Sequence, residues 1–538
     1  MSVKISINEK NLINNLRTAF SNSHTWVSEL LQNARRAGAT KIHIDTNSEG
    51  TMFTIHDDGK GIDDLQNLFT VAESGWDEKT QEDEHPYGMG FLSCLFVATE
   101  IVVKSGDKIL HAITDSALDF QEIPITQAED VHNGCLVQLH GVSIPPVEEI
   151  KKIVSGFPVP VFLNGAELPR PHAMDFSPSW LDSPVGRMKF PDGFGDVRYT
   201  IKTYLQGLPI KNRHASEYGR NVVVIHLDPR MFFGRLPDRS GLVNADIADA
   251  AIYEAVKLVH VRQLRTLKAA RADDESFVRE YGNALLSLKP EFLDDLTVLP
   301  SLVVNGLVSK LDYAPDKVMD YVVVRKEEVV SGNLMLFDRH PNSFDDNDTM
   351  AYLAYLMKNN GVVVDVGKLR PDHWVHSWVH QDATASLEAE VTLRIPCDLR
   401  YFWNNDIVLC PSVKLQVATK MNGLEKQLAC ELDDTTVLYG HTFYVPNKAS
   451  GYGAADQASD YLDEHDHYDE TANAEDERDF LRLVTQARNP EPALLLTALL
   501  DESGFRQYQS LKGHVFSVRI SDDNTVLVQT LPEETANA

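Results

Sequence analysis

Three short elements in a fixed order constrain this chain more than any other feature. Glu29-Leu-Leu-Gln-Asn33-Ala-Arg-Arg-Ala-Gly falls in a run of helical apolar spacing that begins near His24. Asp57-Asp58-Gly59-Lys60-Gly61 closes an alternating run. His85-Pro86-Tyr87-Gly88-Met89-Gly90-Phe91 leads from a polar segment, Glu73–His85, into an apolar stretch, Gly90–Ala98. The spacers Lys41–Asp45 and Met52–His56 alternate apolar and polar residues, as half-buried strands do, and so do Glu100–Lys104 and Cys135–His140. Helices at 9–20 and 24–37 layered on these strands predict an α/β sandwich, with helices on one face of a mixed sheet, rather than a doubly wound sheet.

Each element offers a different chemistry. Glu29 and Asn33 are four residues apart and project from one face of a helix. A carboxylate there can orient a water, and an amide oxygen can serve as the one protein ligand of a hard cation such as magnesium. Asp57, at a strand end, can accept a hydrogen bond from an exocyclic amine, while Gly59 and Gly61 let backbone approach a flat ring. The Gly88–Gly90 turn opens a helix and points backbone N–H groups at an anion. Any one of these elements alone is an ordinary solvated face or turn; together they are specific.

In that combination the segment resembles the GHKL (Bergerat-fold) ATPases, over about residues 10–140. Asn33–Asp45 is similar to MutL and its microrchidia-type relatives. Gly88–Gly106 and Glu73–Glu78 are similar to the ninety-kilodalton heat-shock chaperone. The resemblance implies ATP and Mg2+ as cofactors, with Glu29 as the general base and Asn33 as the magnesium ligand. It implies that Asp57 reads adenine, with Gly59 and Gly61 shaping its pocket. Gly88, Met89, Gly90 and Phe91 would cradle phosphate, and Glu73–Tyr87 would be a mobile lid. Cys135 stands where the family usually has a threonine near adenine. Arg36 stands where many members have an acidic residue; it is expected to meet a phosphate, Asp57, Asp58 or solvent.

The rest of the chain reads as α+β. A transducer-like α/β domain is expected at 146–290, after a first domain at 1–145. Its turns are Asn164-Gly165 and Gln206-Gly207, and a single helical stretch covers roughly 245–287. Transducers of the gyrase, MutL and chaperone branches send a basic residue to the γ-phosphate, and Lys211, Arg235 and Arg239 are the candidates. A β-rich domain follows at 291–449. An acidic linker is expected at 450–479, where a dense run of Asp and Glu leaves little to bury; its HDHYDE core reads as solvated linker before metal site. A small α/β unit is expected at 480–538.

Composition narrows the function. The net charge of −29, from 79 acidic against 50 basic residues, repels phosphate backbones and disfavours direct DNA binding. Five cysteines without a CxxC pair point to free thiols in a reducing cytoplasm. The opening MSVKISINEKNL lacks an apolar core, and no run is long enough for a bilayer, so neither a secretory signal nor a membrane partner is expected. The favoured function is a nucleotide-gated clamp or chaperone-like machine, a nucleotide-dependent homodimer acting on a protein client, with residues 1–8 as an exchanged strand. The alternatives are a DNA-transaction ATPase of the MutL or topoisomerase type and a nucleotide-holding module with little turnover. A histidine kinase is disfavoured because no phospho-acceptor helix precedes the domain. Phage proteins of the rIIA type also carry this ATPase module.

Overall fold

The computed structural model describes residues 3–4, 8–19, 24–71, 75–86, 88–175, 177–191, 193–211, 221–235, 241–305, 323–338, 349–395, 405–458, 461–462, 465 and 467–531. The chain divides into two compact units, Met1–Phe292 and Leu293–Ala538.

In the first unit, α1 (Glu9–Ala19) and α2 (Thr25–Arg36) precede the hairpin of β1 (Ile42–Thr46) and β2 (Met52–Asp57). Next come α3 (Glu78–Glu84), α4 (Leu92–Val97), β3 (Glu100–Ile113), α5 (Thr114–Leu118) and β4 (Ile125–His140). Then α6 (Val147–Val154), β5 (Val161–Leu163) and β6 (Ala166–Glu167) complete a mixed sheet of order β3-β4-β2-β1-β5-β6. The two-residue period puts Phe53, Ile55 and Asp57 on one face of β2, opposite Leu139, Val137 and Cys135 of β4. Trp26 and Leu30 of α2 and Leu92 and Leu95 of α4 belong to the same core as that face. Trp26 meets Phe53 edge-on, with ring centres 4.6 Å apart.

The first sheet therefore runs past the expected boundary at 145. Val161 pairs in parallel with Ile42, so the Asn164-Gly165 turn belongs to this sheet and not to the second domain. Parallel partners need a long crossover, here the whole of 47–160, and nothing local in the sequence announces it.

The second sheet comprises β7 (Trp180–Ser183), β8 (Gly186–Lys189), β9 (Tyr199–Leu205), β10 (Leu208–Ile210) and β11 (Asn221–Leu227), in the order β10-β9-β11-β8-β7. Val223 and Ile225 share a core with Ile252, Val256 and Val259 of α7 (Ala245–Ala270). The expected single helix over 245–287 is two. A new start at α8 (Asp274–Leu288) is capped by the Asp273 carboxylate, which accepts from the Ser276 N–H at 2.7 Å.

In the second unit, a six-stranded sheet packs against the helix Thr349–Lys358. A four-stranded sheet holds Asp406–Cys410 and Thr442–Pro446. The acidic stretch 450–479 is not the expected linker wherever it is described. Ala454–Ala458 and Glu470–Arg488 are helices, so the boundary at 480 falls inside one of them. Phe480 and Val484, four apart, bury against the four-stranded sheet, with Phe480 edge-on to Phe443 at 5.1 Å. The acids find donors: Asp476 accepts from the Tyr461 hydroxyl at 2.6 Å, and Glu477 accepts from the Gly453 and Ala455 N–H groups. Local hydrogen bonding thus replaces the solvation that the composition suggested. A hairpin, Val515–Ile520 with Val526–Leu531, follows the helix Pro492–Glu502.

Candidate active site

Glu29 is 5% exposed, yet its side chain lines a cleft between α2, the end of β2 and the turn into α4. Its helix carries it there because the positions around it (Trp26, Val27, Leu30, Leu31) are core. Gly90 is the residue that allows this. A Cβ at position 90 would lie 2.1 Å from Oε2 of Glu29, so only glycine lets the turn close on the carboxylate. Asn33, one helical turn on, lines the same cleft.

Asp57 reaches the cleft at the end of β2, 7% exposed. Its Oδ1 accepts from the Gly59 N–H at 2.9 Å. Burial pushes its carboxyl above the ordinary range, against the opposing pull of the Gly59 and Cys135 N–H groups. Cys135 sits directly across the strand pair. Burial, and secondly the Asp57 charge, push its thiol up to about 12, so it stays a neutral, weak donor at the cleft wall. Asp58 has a different task. It accepts from the Thr40 hydroxyl and from the N–H groups of Thr40 and Lys41, and these bonds, led by the hydroxyl, hold it down to about 2.

The glycines differ in role. Gly61 (φ 74°) lines the cleft, and a Cβ there would lie 2.7 Å from the Ser105 hydroxyl, which accepts from the Ile62 N–H. Gly59 is packed against Ala37 behind Asp57. Gly88 (φ 63°) and Gly90 line the cleft with Phe91, whose ring meets Phe69 edge-on. Met89 is absent from the cleft lining; its partly buried side chain packs against the core. The N–H groups of Leu92, Ser93 and Cys94 turn back onto the carbonyls of residues 89–91, so the amides left to face an anion lie ahead of Leu92. The helix expected from Gly90 begins at Leu92 for this reason.

The polar segment expected to be a mobile lid contains α3. Asp77 caps it, accepting from the Thr80 N–H at 2.9 Å. Its last residue, Glu84, takes both Arg35 and Arg36. Arg36 pairs with Glu84 at 2.9 Å with its side chain 2% exposed, so it does not face solvent, and it also lines the cleft. Residues 73, 74 and 87 of the expected lid lie outside the described residues.

Of the three basic candidates from the second sheet, Lys211 follows β10 and lines a second cavity, with Gln206, Phe233 and Glu84. Glu29 lines that cavity too, so it forms part of the wall of both spaces. Arg235 is exposed, and its N–H donates to Gly241 at 2.7 Å. Arg239 lies outside the described residues. The sequence reading passed over Lys60, Asn67 and Trp76, which also line the cleft; the Lys60 ammonium lies 5.4 Å from the centre of the Trp76 ring. A tryptophan inside a polar, acidic segment was the available signal.

Two buried carboxylates and a glycine turn around one cleft, on the helix-covered face of a mixed sheet, define an α/β ligand-binding domain. Residues 10–150 match the family described as histidine kinase-, DNA gyrase B- and HSP90-like ATPase, so this segment is similar to a GHKL-type ATPase domain, for which ATP binding is expected. No curated protein matches the chain. Among the described residues, no helix is long and apolar enough to cross a membrane.

Proposed function

We propose that the cleft binds ATP and that the chain hydrolyses it. In this proposal, nucleotide drives dimerisation of a clamp or chaperone-like machine that acts on a protein client. The observation that carries the proposal is the Glu29 carboxylate, buried yet facing the cleft, with Gly90 closed against it. Glu29 is the general base that orients the attacking water. Asp57 accepts from the adenine amine, with Gly61 beside the ring and Gly59 holding Asp57 from behind. Phosphates lie along Gly88, Gly90 and the Phe91 amide.

Magnesium suits the donors present. Asn33 offers a single amide oxygen at the cleft wall, and this ion commonly keeps one or two protein ligands beside phosphate and water. Bound there, it would neutralise phosphate charge. Lys211 would add a positive charge from the second sheet, on the side of Glu29 away from the adenine site. Arg36 pairs with Glu84 and also lines the cleft.

Light scattering on size-separated protein, with and without a non-hydrolysable ATP analogue, tests the proposal. A dimer is expected with analogue, and deletion of residues 1–8 should abolish it while leaving monomer affinity near wild type. Of those residues only 3, 4 and 8 are described. Adding DNA should change nothing, in line with the net charge of −29. A protein that stays monomeric at every concentration with analogue bound would replace the clamp by a nucleotide-holding module.

A further inference from the structure

One polar network joins three elements far apart in sequence. Arg35 donates both terminal nitrogens to the Glu84 carboxylate, and Arg36 donates its Nε to the same group at 2.9 Å. The Glu84 main-chain oxygen accepts from the Gln206 side-chain amide at 2.9 Å, and Arg36 reaches the other end of that amide at 3.3 Å. Gln32, fully buried, donates to the Gln206 main-chain oxygen at 2.9 Å and accepts from Arg35 Nε. Gln206 occupies the β9–β10 turn in the left-handed region (φ 54°), followed by Gly207. Lys211 stands one residue beyond the end of β10.

The placement of these groups goes beyond fold maintenance. The helix that supplies Gln32, Arg35 and Arg36 also supplies Glu29 and Asn33. The segment that ends in Glu84 leads through His85 and Pro86 into the Gly88–Gly90 turn. The hairpin held by Gln206 carries Lys211 to the cavity that Glu29 shares. Two guanidiniums on one carboxylate make a charge-assisted, partly multidentate anchor with little conformational slack. Its members are largely withdrawn from water: the Arg36 side chain is 2% exposed, and those of Arg35 and Glu84 are 19% and 18%.

We propose that Arg35, Arg36, Glu84 and Gln206 are positioning residues for ATP turnover. They latch the end of the α3 segment to the β9–β10 hairpin and so set Lys211 beside Glu29. This rests on the assignment of Glu29 and Lys211 above. None of the four need touch nucleotide for the latch to work. A misplacement of the order of 1 Å at a reacting centre costs up to about 10²-fold in rate, so a loosened hairpin should be felt in turnover before affinity.

The full chain serves for the test. Glu84→Gln, which keeps the volume and removes the charge, and Glu84→Ala are compared with Lys211→Ala and with the double variant Glu84→Gln/Lys211→Ala. Glu84→Gln should lower kcat roughly tenfold while the affinity for a non-hydrolysable analogue, measured by titration calorimetry, stays within about twofold. In the Lys211→Ala background the same change should have no further effect on kcat, because the latch acts through that lysine. Hydrogen exchange without nucleotide should rise across 203–211 in Glu84→Gln and stay unchanged in β1 and β2. Should Glu84→Ala not fold, Glu84→Gln alone carries the comparison. Additive losses in the double variant, or unchanged exchange at 203–211, would overturn the latch. Unchanged turnover in Lys211→Ala would instead remove the lysine's assignment, and the positioning role with it.

Discussion

Asp57 and Asp476 are both buried aspartates whose carboxyls are pushed up chiefly by burial, yet they sit in opposite situations. Asp476 is answered from within its own unit: the Tyr461 hydroxyl donates to it, and the neighbouring Glu477 is answered by two backbone N–H groups. Asp57 is held by the Gly59 N–H and lines an open cleft together with Glu29. The difference teaches that burial alone does not mark a functional acid. What marks it is a buried carboxylate whose surroundings open onto space that a ligand can fill.

Removing Glu29 should break the comparison most sharply. Glu29→Ala is expected to keep ATP bound while losing roughly 10²-fold or more in hydrolysis, measured by phosphate release against calorimetric affinity. Turnover at the wild-type rate would reduce Glu29 to a wall residue. Asp57→Asn comes next. Placing an amide opposite the adenine amine should cost about 1–3 kcal/mol of ATP affinity, or roughly five- to 150-fold, and erase preference over GTP. Asp476→Asn, which still offers Tyr461 an acceptor, should leave ATP affinity and turnover at wild type. A loss of affinity there would mean that the second unit's acids serve the same ligand.

Adjacent residues sharpen the contrast through pH. Asp58 is depressed to about 2 in the fold, so its contribution to stability is complete above the unfolded value, near 3.9. That contribution is lost as pH falls from there towards 2. Asp57 is raised, so its ionised form opposes folding and that opposition is relieved as pH falls through its folded value. Thermal melts should therefore show Asp58→Asn flattening the acid limb of the stability curve. Asp57→Asn should melt slightly higher than wild type at neutral pH, a gain in stability set against its loss of binding. A lower melting temperature for Asp57→Asn would show that its hydrogen bonds outweigh its desolvation. The smallest effect expected is at Cys135. Cys135→Thr exchanges a weak donor for a hydroxyl beside Asp57 and should tighten ATP by about fivefold, near 1 kcal/mol; no change would place the thiol away from the ligand.

Much of the cleft was legible because its signals are local. Glu29 and Asn33 share a face through four-residue spacing, and the alternation of Met52–Asp57 sends Asp57 to the side of Phe53 and Ile55. The inward packing of Met89 was not legible, because a motif marks backbone positions while the side chain between two glycines can turn either way. The acidic stretch 450–479 was misread because composition counts charges and cannot see the donors that meet them, nor the Phe480–Val484 spacing that anchors its helix.

By itself the sequence determined the order of helices and strands around the three motifs and the residue types at the cleft, which are dictated within a few residues by helical or strand period. The space that a Cβ would lack at positions 61 and 90 is set by Ser105, Gly134 and Glu29, and so by the tertiary structure. Only the tertiary structure decided that Val161 closes the first sheet beside Ile42, that Glu84 takes both Arg35 and Arg36, and that Gln32 meets Gln206 across a separation of 174 residues. A salt bridge or a parallel strand pair leaves no periodic trace at either partner. Its choice rests on which surfaces the rest of the chain has already brought within reach, and that is a property of the packed molecule.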